Sequence, residues 1–355
     1  MSARTPKAAL LLFAGLAFSC SLRAADARSG LWSAGGVTLR NAGNEYRLAI
    51  ATADGERRLD LPAGVEVEEL FALRQGALLS GRGLSAARSA GGPAPGDLYL
   101  ALLDGQGLHA LPSPARDPER PVQRENAVAL ASLAGDLEGL VWLEGVDRQS
   151  YTIRAAAWDG LRWSDPTAVA AAAPGSQLAL GGATLGDGSK LLVWSRFDGH
   201  DDEIVAARFA DGQWSAARPI AAGNAVPDVT PSVVAVPGGA LAAWSRYDGH
   251  EYRVVVSRFD GQTWTAPEWA GPAGSTVPFF TRGTSAATDG KPSTWLAFAS
   301  SQPRGWTAVE LDSAGRALRR GTVETSTTAR PALARSATGG VRLRWAAGES
   351  DVELE

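Results

Sequence analysis

A repeat of about fifty residues constrains the fold of this chain more than any other feature of its sequence. The segment LLVWSRFDGHDDEIVAARFADGQWSAARP (191–219) returns as LAAWSRYDGHEYRVVVSRFDGQTWTAP (241–267), and a looser copy occupies residues 139–166. Trp194 and its counterpart Trp244 lie 50 residues apart. Repeats of this period that are built from β-strands are typical of β-propeller blades.

The strands of one repeat are predicted by the alternation of apolar residues and by the turn residues between them. From Thr230 onward, PSVVAV, ALAAWSRY, YRVVVSRF and TWTAPEWA follow one another, separated by turns that contain glycine. Pro267 interrupts the last of these, as an outer edge strand tolerates. Each repeat is therefore predicted to be a four-stranded antiparallel blade. The residues that recur, and that we expect to be structural, are Trp142, Trp163, Trp194, Trp214, Trp244, Trp264, Asp211, Asp260, Gly212 and Gly261.

The same template accounts for most of the chain. It predicts an all-β protein with a single domain (28–355), a six-bladed β-propeller closed by strands from both termini. Five blades are expected at about 64–113, 126–169, 176–221, 230–270 and 284–323. The sixth would combine residues 45–62 with residues 331–355. Seven blades are the alternative if Leu31–Arg40 belongs to another sheet.

The first residues have the pattern of a targeting segment. Arg4 and Lys7 precede an apolar run (8–20) that is too short to span a membrane, and Ala25-Asp26-Ala27 offers a cleavage site. We expect a signal peptide over residues 1–27 and a periplasmic or secreted bacterial protein with no transmembrane span in its mature form. The alternative is a lipoprotein leader that ends before Cys20, with the mature chain anchored through that residue.

Composition excludes several classes of function. Cys20 is the only cysteine, so the mature protein would contain no disulfide and no thiolate metal site. The formal net charge is −4 and there is no basic run, which argues against nucleic acid as a partner. No cofactor-binding motif occurs, so we expect no cofactor and no metal. We expect a monomer.

The turn SRFDGQTW (257–264) resembles the Asp-box (BNR) repeat of sialidase-like propellers, although Asp260 directly precedes Gly261 instead of standing two positions before it. The resemblance implies that these turns are structural and lie on the face opposite an active site. It also implies a glycosidase with three arginines, a tyrosine–glutamate nucleophile and an aspartate. No residue of this chain can be matched to that set, so no catalytic residue is assigned and a binding protein is favoured over an enzyme.

The loops that join the second and third strands of a blade share a face with the loops that join blades, and this face usually forms binding sites. Two such loops carry matched carboxylates and histidines, although Asp-Gly is also an ordinary hairpin turn. Two repeats contain Trp-Ser-Arg, in which the arginine either binds a ligand or packs on the tryptophan between blades. A connection rich in proline and arginine (116–125) precedes the blade predicted at 126–169. The candidate ligand-binding residues are Asp198, His200, Asp248, His250, Arg116, Arg120, Arg124, Arg196 and Arg246.

The sequence favours an exported, non-catalytic propeller that binds a glycan or a protein partner in the cell envelope. The alternative is a sialidase-like glycoside hydrolase that acts from the chain end on anionic sugars.

Overall fold

The computed structural model describes most of the chain from Ser29 onward, and all its regular elements are β-strands. None of the described residues forms a helix that is long and apolar enough to cross a bilayer. The predicted leader (1–27) and the connection with Arg116 and Arg120 lie outside the described residues. The described ranges are 29–42, 45–52, 55–84, 94–115, 123–146, 150–169, 175–221, 224–280, 293–327, 329–335, 341–345 and 348–352.

The strands form six antiparallel blades in which each strand pairs with the next along the chain. The first three blades contain β1 (Ser29–Ala34), β2 (Val37–Ala42), β3 (Glu45–Thr52) and β4 (Gly55–Leu59); β5 (Val65–Leu73), β6 (Gly76–Gly83), β7 (Leu98–Asp104) and β8 (Gly107–Leu111); and β9 (Gln123–Ala131), β10 (Leu137–Gly145), β11 (Thr152–Ala157) and β12 (Thr167–Ala168).

The next three blades follow the same order. They contain β13 (Ser176–Thr184), β14 (Lys190–Phe197), β15 (Asp202–Ala210), β16 (Gln213–Trp214) and β17 (Arg218–Pro219); β18 (Asp228–Val236), β19 (Gly239–Tyr247), β20 (Tyr252–Phe259) and β21 (Glu268–Trp269); and β22 (Ser275–Phe280), β23 (Ser293–Ser301), β24 (Arg304–Asp312) and β25 (Ala317–Glu324). In the fourth blade β16 and β17 both pair with β15, so its outer strand is formed by two short pieces. The prediction of a propeller with six four-stranded antiparallel blades is confirmed.

The predicted closure of the ring is wrong. The strands near the two termini do not share a blade: β3 and β4 pair with β1 and β2, which include Leu31–Arg40. The C-terminal strands β26 (Ala332–Arg335), β27 (Val341–Trp345) and β28 (Gly348–Val352) form a separate three-stranded sheet. This sheet lies between the sixth and first blades, since β26 contacts β1 and β28 contacts β25. The six blades and this three-stranded sheet together make seven sheets, the number in the alternative prediction of seven blades. The reason is a tight turn at Gly35 and Gly36, both at positive φ, that lets residues 29–42 form their own hairpin.

The core lies between adjacent blades and is dominated by the second and third strands. Trp142, Trp194 and Trp244 are fully buried, as expected for residues that the repeat fixes. Trp214 and Trp264 are half-buried, because each packs on an aromatic residue at the turn after the third strand. The ring centroids are 5.1 Å apart for Phe209 and Trp214 and 5.0 Å apart for Phe259 and Trp264.

The first strand of each blade lines the centre of the propeller, and five of these strands, from the second blade to the sixth, carry a bulge. In four of them the bulge places a residue in the left-handed region: Asn126, Ala179, Thr230 and Val277, at φ of 53°, 52°, 55° and 53°. Side chains of neighbouring blades bind the backbone around them. The amide of Leu180 donates to Asn126 Oδ1 at 2.7 Å, for example. The bulges therefore link the inner strands to one another and hold the wall of the central cavity.

Candidate functional site

A central cavity of about 1480 Å³ is lined by the first strands of all seven sheets. Its mouth lies on the face of the loops between second and third strands, because Asp198, Gly199 and His250 in those loops line it and are exposed. Toward the opposite face the wall becomes apolar, with Phe71, Val233 and Phe280 among the lining residues. The polar groups are thus concentrated near the mouth.

One part of the polar wall, which we call the Glu68 cluster, consists of Glu66, Glu68, Arg82 and Glu125. The guanidinium of Arg82 donates from Nε to Glu66 Oε2 at 2.8 Å and from Nη1 to Glu125 Oε2 at 2.6 Å. Glu68 is farther away, with 3.9 Å between its Oε1 and Arg82 Nε. Its Oε2 accepts the amide N–H of Asn126 at 2.7 Å. One arginine therefore faces three carboxyl groups and is bonded closely to two of them.

The third carboxyl of this cluster is held in its protonated form up to neutral pH. Burial raises the pKa of Glu68 from 4.5 to about 7, and the negative charge of Glu125 adds to the effect. Arg82 and the amide of Asn126 oppose the increase without cancelling it. Glu68 is therefore a carboxylic acid that can donate a proton near neutral pH, next to the two glutamates that are bonded to Arg82.

A second part of the wall, which we call the Asp202 wall, consists of Asp202, Tyr247, Glu251, Tyr252 and Ser300. These residues come from three consecutive blades and all line the cavity. The rings of Tyr247 and Tyr252 pack at 5.5 Å between centroids with an angle of 59°. Asp202 is 8% exposed and Ser300 is 6% exposed. The wall thus combines buried polar groups with half-buried aromatic rings.

Few hydrogen-bond donors or cations of the protein lie near the carboxyl group of Asp202 to stabilise its negative charge. The hydroxyl of Ser195 donates to its Oδ1 at 3.3 Å. Burial raises the pKa of Asp202 from 3.8 to about 6, and the charges of Asp201, Asp198 and Asp228 contribute in the same direction. The neighbouring Arg246 is already bonded to Asp228, at 2.8 Å and 2.7 Å. Negative potential therefore accumulates on this side of the cavity.

The loop residues predicted from the repeat are only partly brought to the cavity. Asp198 and His250 line it, whereas His200 and Asp248 do not. Asp198 and Asp248 each accept two backbone amides of their own turns, at 2.9 and 3.4 Å and at 3.0 and 3.0 Å respectively. These bonds lower the pKa of both carboxyls. Both aspartates therefore have a structural task in the hairpin turns.

The three predicted arginines that the structure describes, Arg124, Arg196 and Arg246, do not line the cavity. Arg124 is 1% exposed and donates to Glu144 Oε2 at 2.8 Å and to the carbonyls of Pro114 and Ala115 at 2.8 and 2.7 Å. Its guanidinium also lies 5.7 Å from the centre of the Trp142 ring. Arg246 lies at the same distance from Trp244, which matches the packing role weighed for the Trp-Ser-Arg segments. Arg196 is half-buried and does not line the cavity.

Sequence reasoning missed the Glu68 cluster and Asp202. Glu125 is 43 residues from Arg82 in the chain and has no counterpart in the clear repeats. A signal was nevertheless present in VEVEEL (65–70), because an inner strand of a propeller rarely carries three glutamates unless they face the central channel. Asp202 comes two residues after His200 in the sequence, but it is the first residue of β15 and is buried.

Among the described residues, the arginines that line the cavity are not all free to form the clamp that the sialidase resemblance implies. They are Arg82, Arg304 and Arg330, of which Arg82 is bonded to two glutamates and Arg330 to Glu69 at 2.9 Å. Among the described residues, no group of three or more His, Cys, Asp or Glu side chains is placed to hold a metal ion.

Comparisons with known proteins agree on the fold. No protein-family model matches the chain. No curated protein sequence matches it either. A solved structure of a Dyadobacter fermentans protein of unknown function is 13% identical with a TM-score of 0.54, over 84% of this chain and 97% of that one. An ulvan lyase of polysaccharide lyase family PL25, bound to a glucuronate–rhamnose-3-sulfate fragment, is 10% identical with a TM-score of 0.52, over 92% and 90%. The fucose-specific lectin of Aleuria aurantia is 13% identical with a TM-score of 0.47, over 84% and 95%. At these identities the likeness shows the propeller fold alone, and the sialidase-like assignment stays a prediction.

Proposed function

We propose that this protein is an exported propeller that binds a glycan in the mouth of its central cavity. The observation that carries the proposal is the cavity itself, whose polar wall combines carboxyl groups, hydroxyls and the rings of Tyr247 and Tyr252. Sugars are bound in proteins by such a combination, with aromatic faces against the ring and polar groups on the hydroxyls. The volume exceeds the roughly 300–1,000 Å³ of ordinary small-molecule pockets, which suits several sugar units. The ulvan lyase of the same fold class carries a polysaccharide fragment, which is consistent with this use.

Binding to a panel of immobilised glycans tests the proposal. The panel should contain neutral, acidic and amino-sugar oligosaccharides. We expect saturable binding that the double change Tyr247→Ala and Tyr252→Ala removes, while the protein remains folded by circular dichroism. Absence of binding to every class, with a folded wild-type protein, would refute glycan binding.

Glycan cleavage is a second candidate, and the Glu68 cluster specifically favours it. A glutamic acid whose pKa is raised to about 7 can serve as a general acid, and Glu125 and Glu66, both bonded to Arg82, lie beside it. Release of reducing ends or unsaturated products from a bound glycan, lost in Glu68→Gln with binding retained, would establish an enzyme. Retained binding without any product would leave the binding protein.

A further inference from the structure

The Asp202 wall has polar groups that the protein itself leaves without a partner. Among the described residues no ion pair is formed by Asp202 or by Glu251, and the Ser195 hydroxyl is the hydrogen-bond donor to Asp202. Ser300 is more than nine-tenths buried, and its hydroxyl has no hydrogen-bond partner within the described residues. A buried polar group without a hydrogen-bond partner destabilises the folded protein, because it has lost its bonds to water. Their presence on the wall of one cavity indicates that a ligand completes them.

The charge of that wall selects the ligand. Asp202 and Glu251 form no ion pair with any cation of the described residues, and the guanidinium of Arg246 is paired with Asp228 through two hydrogen bonds. The rings of Tyr247 and Tyr252 flank the carboxyls, and the negative face of an aromatic ring attracts a cation. Both the carboxylates and the aromatic rings of the Asp202 wall therefore attract a positively charged ligand group.

Two of the three arginines that line the cavity are already paired. Arg82 is neutralised by Glu66 and Glu125, and Arg330 by Glu69, so a carboxylated or sulfated sugar would have to displace an existing ion pair there. Arg304, the third, is exposed and donates to the carbonyl oxygen of Ser326 at 3.2 Å. Like charges brought together across an interface reduce affinity and suppress the wrong partner. This argues against the anionic sugars that the sialidase resemblance implies.

From these observations, and resting on the proposed glycan-binding function, we infer that the Asp202 wall binds a sugar residue that carries a protonated amine. The ammonium group would lie between Asp202 and the tyrosine rings, and a hydroxyl of the sugar would pair with Ser300. Glucosamine-type units have this chemistry, whereas N-acetylated units have lost the charge.

Calorimetric titration at about pH 7 with three tetrasaccharides tests the inference. The probes are a glucosamine tetramer, its N-acetylated counterpart and a galacturonic acid tetramer. We expect the glucosamine tetramer to bind at least about tenfold more tightly than the other two, with affinity that falls as salt is added. Asp202→Asn should remove most of this preference. Glu56→Gln is the matched control, because it removes a carboxylate from the exposed outer strand β4.

The outcomes separate the inference from the proposal on which it rests. Equal or tighter binding of the N-acetylated or the galacturonic acid tetramer would overturn the amine preference while glycan binding stands. The same holds if Asp202→Asn leaves the preference unchanged. If neither the tetramers nor any member of the wider glycan panel binds, the proposed function fails and the inference fails with it.

Discussion

Replacing Glu68 with glutamine should make the protein more stable at alkaline pH and leave it unchanged at acid pH. The pKa of Glu68 is raised from 4.5 to about 7 in the folded protein, so between these pH values the folded state holds more protons than the unfolded chain. Stability therefore falls as the pH rises through this window. At about 1.4 kcal/mol per pH unit, full ionisation would cost roughly 3 kcal/mol above pH 7. The Glu68 side chain is 21% exposed and lies near Arg82, so we expect about 1–2 kcal/mol.

Glutamine preserves the geometry that the test needs. Its amide oxygen can still accept the N–H of Asn126, which bonds Glu68 Oε2 at 2.7 Å. Arg82 keeps Glu66 and Glu125 as partners. The variant therefore removes the charge and little else.

Urea unfolding at about pH 4, below both pKa values, and at about pH 8 measures the effect, with Glu56→Gln as an exposed control on β4. We expect a higher midpoint for Glu68→Gln at the alkaline pH and equal midpoints at the acid pH. The control should differ from the wild type at neither pH. A variant that is less stable at about pH 8, or that gains equally at both pH values, would show that Glu68 is not held protonated by its surroundings.

Three further predictions concern the blades. Trp194→Ala should cost about 3–5 kcal/mol of unfolding free energy, because the ring is fully buried and its Nε1 donates to Gln177 at 2.6 Å. Trp214→Ala, at a half-buried position, should cost less, and chemical denaturation of the two variants measures the difference. Gly239→Ala should prevent folding or lower the melting temperature strongly, because an added Cβ would collide with the carbonyl oxygen of Phe259 and the φ of 153° is unfavourable for alanine. Gly261→Ala should have a smaller effect despite a φ of 102°, because no atom lies near its Cβ. Equal effects on the melting temperature would contradict the steric argument. Asp260→Ala should lower the melting temperature, because Oδ1 of Asp260 accepts the amides of Gln262 and Thr263 at 2.8 and 2.7 Å. His200→Ala, in an exposed loop, should change the melting temperature less.

The sequence predicted the blades well where the repeat is clear and poorly where neighbours come from different parts of the chain. The fourth and fifth blades were expected at 176–221 and 230–270, and their strands run from Ser176 to Pro219 and from Asp228 to Trp269. The sixth blade was expected to begin near Thr284, but its inner strand is β22 (Ser275–Phe280). This strand was missed because STVPFF lacks the pattern of the other inner strands.

The site was harder to predict than the fold for a physical reason. A repeat reveals what all blades share, whereas a ligand site depends on how they differ. Arg124 was selected by its charge and local density, yet it is buried and bonded to Glu144. Glu68 acquires its unusual acidity only from Glu125 and Arg82, which other strands bring to it. Such proximity is not encoded in any local pattern.

The cavity is shared by all the sheets, and this has a consequence for how the ends of the chain behave. Every sheet contributes its first strand to the wall, and Arg330 beside the last sheet bonds Glu69 on β5, 261 positions earlier in the chain. The first blade and the C-terminal sheet share no strand and are held together by side-by-side packing. A ligand that fits only the assembled wall stabilises that state by an amount that grows with the logarithm of the ligand concentration once this exceeds Kd. Filling the cavity should therefore protect both ends of the chain from proteases at once, although neither end has to touch the ligand.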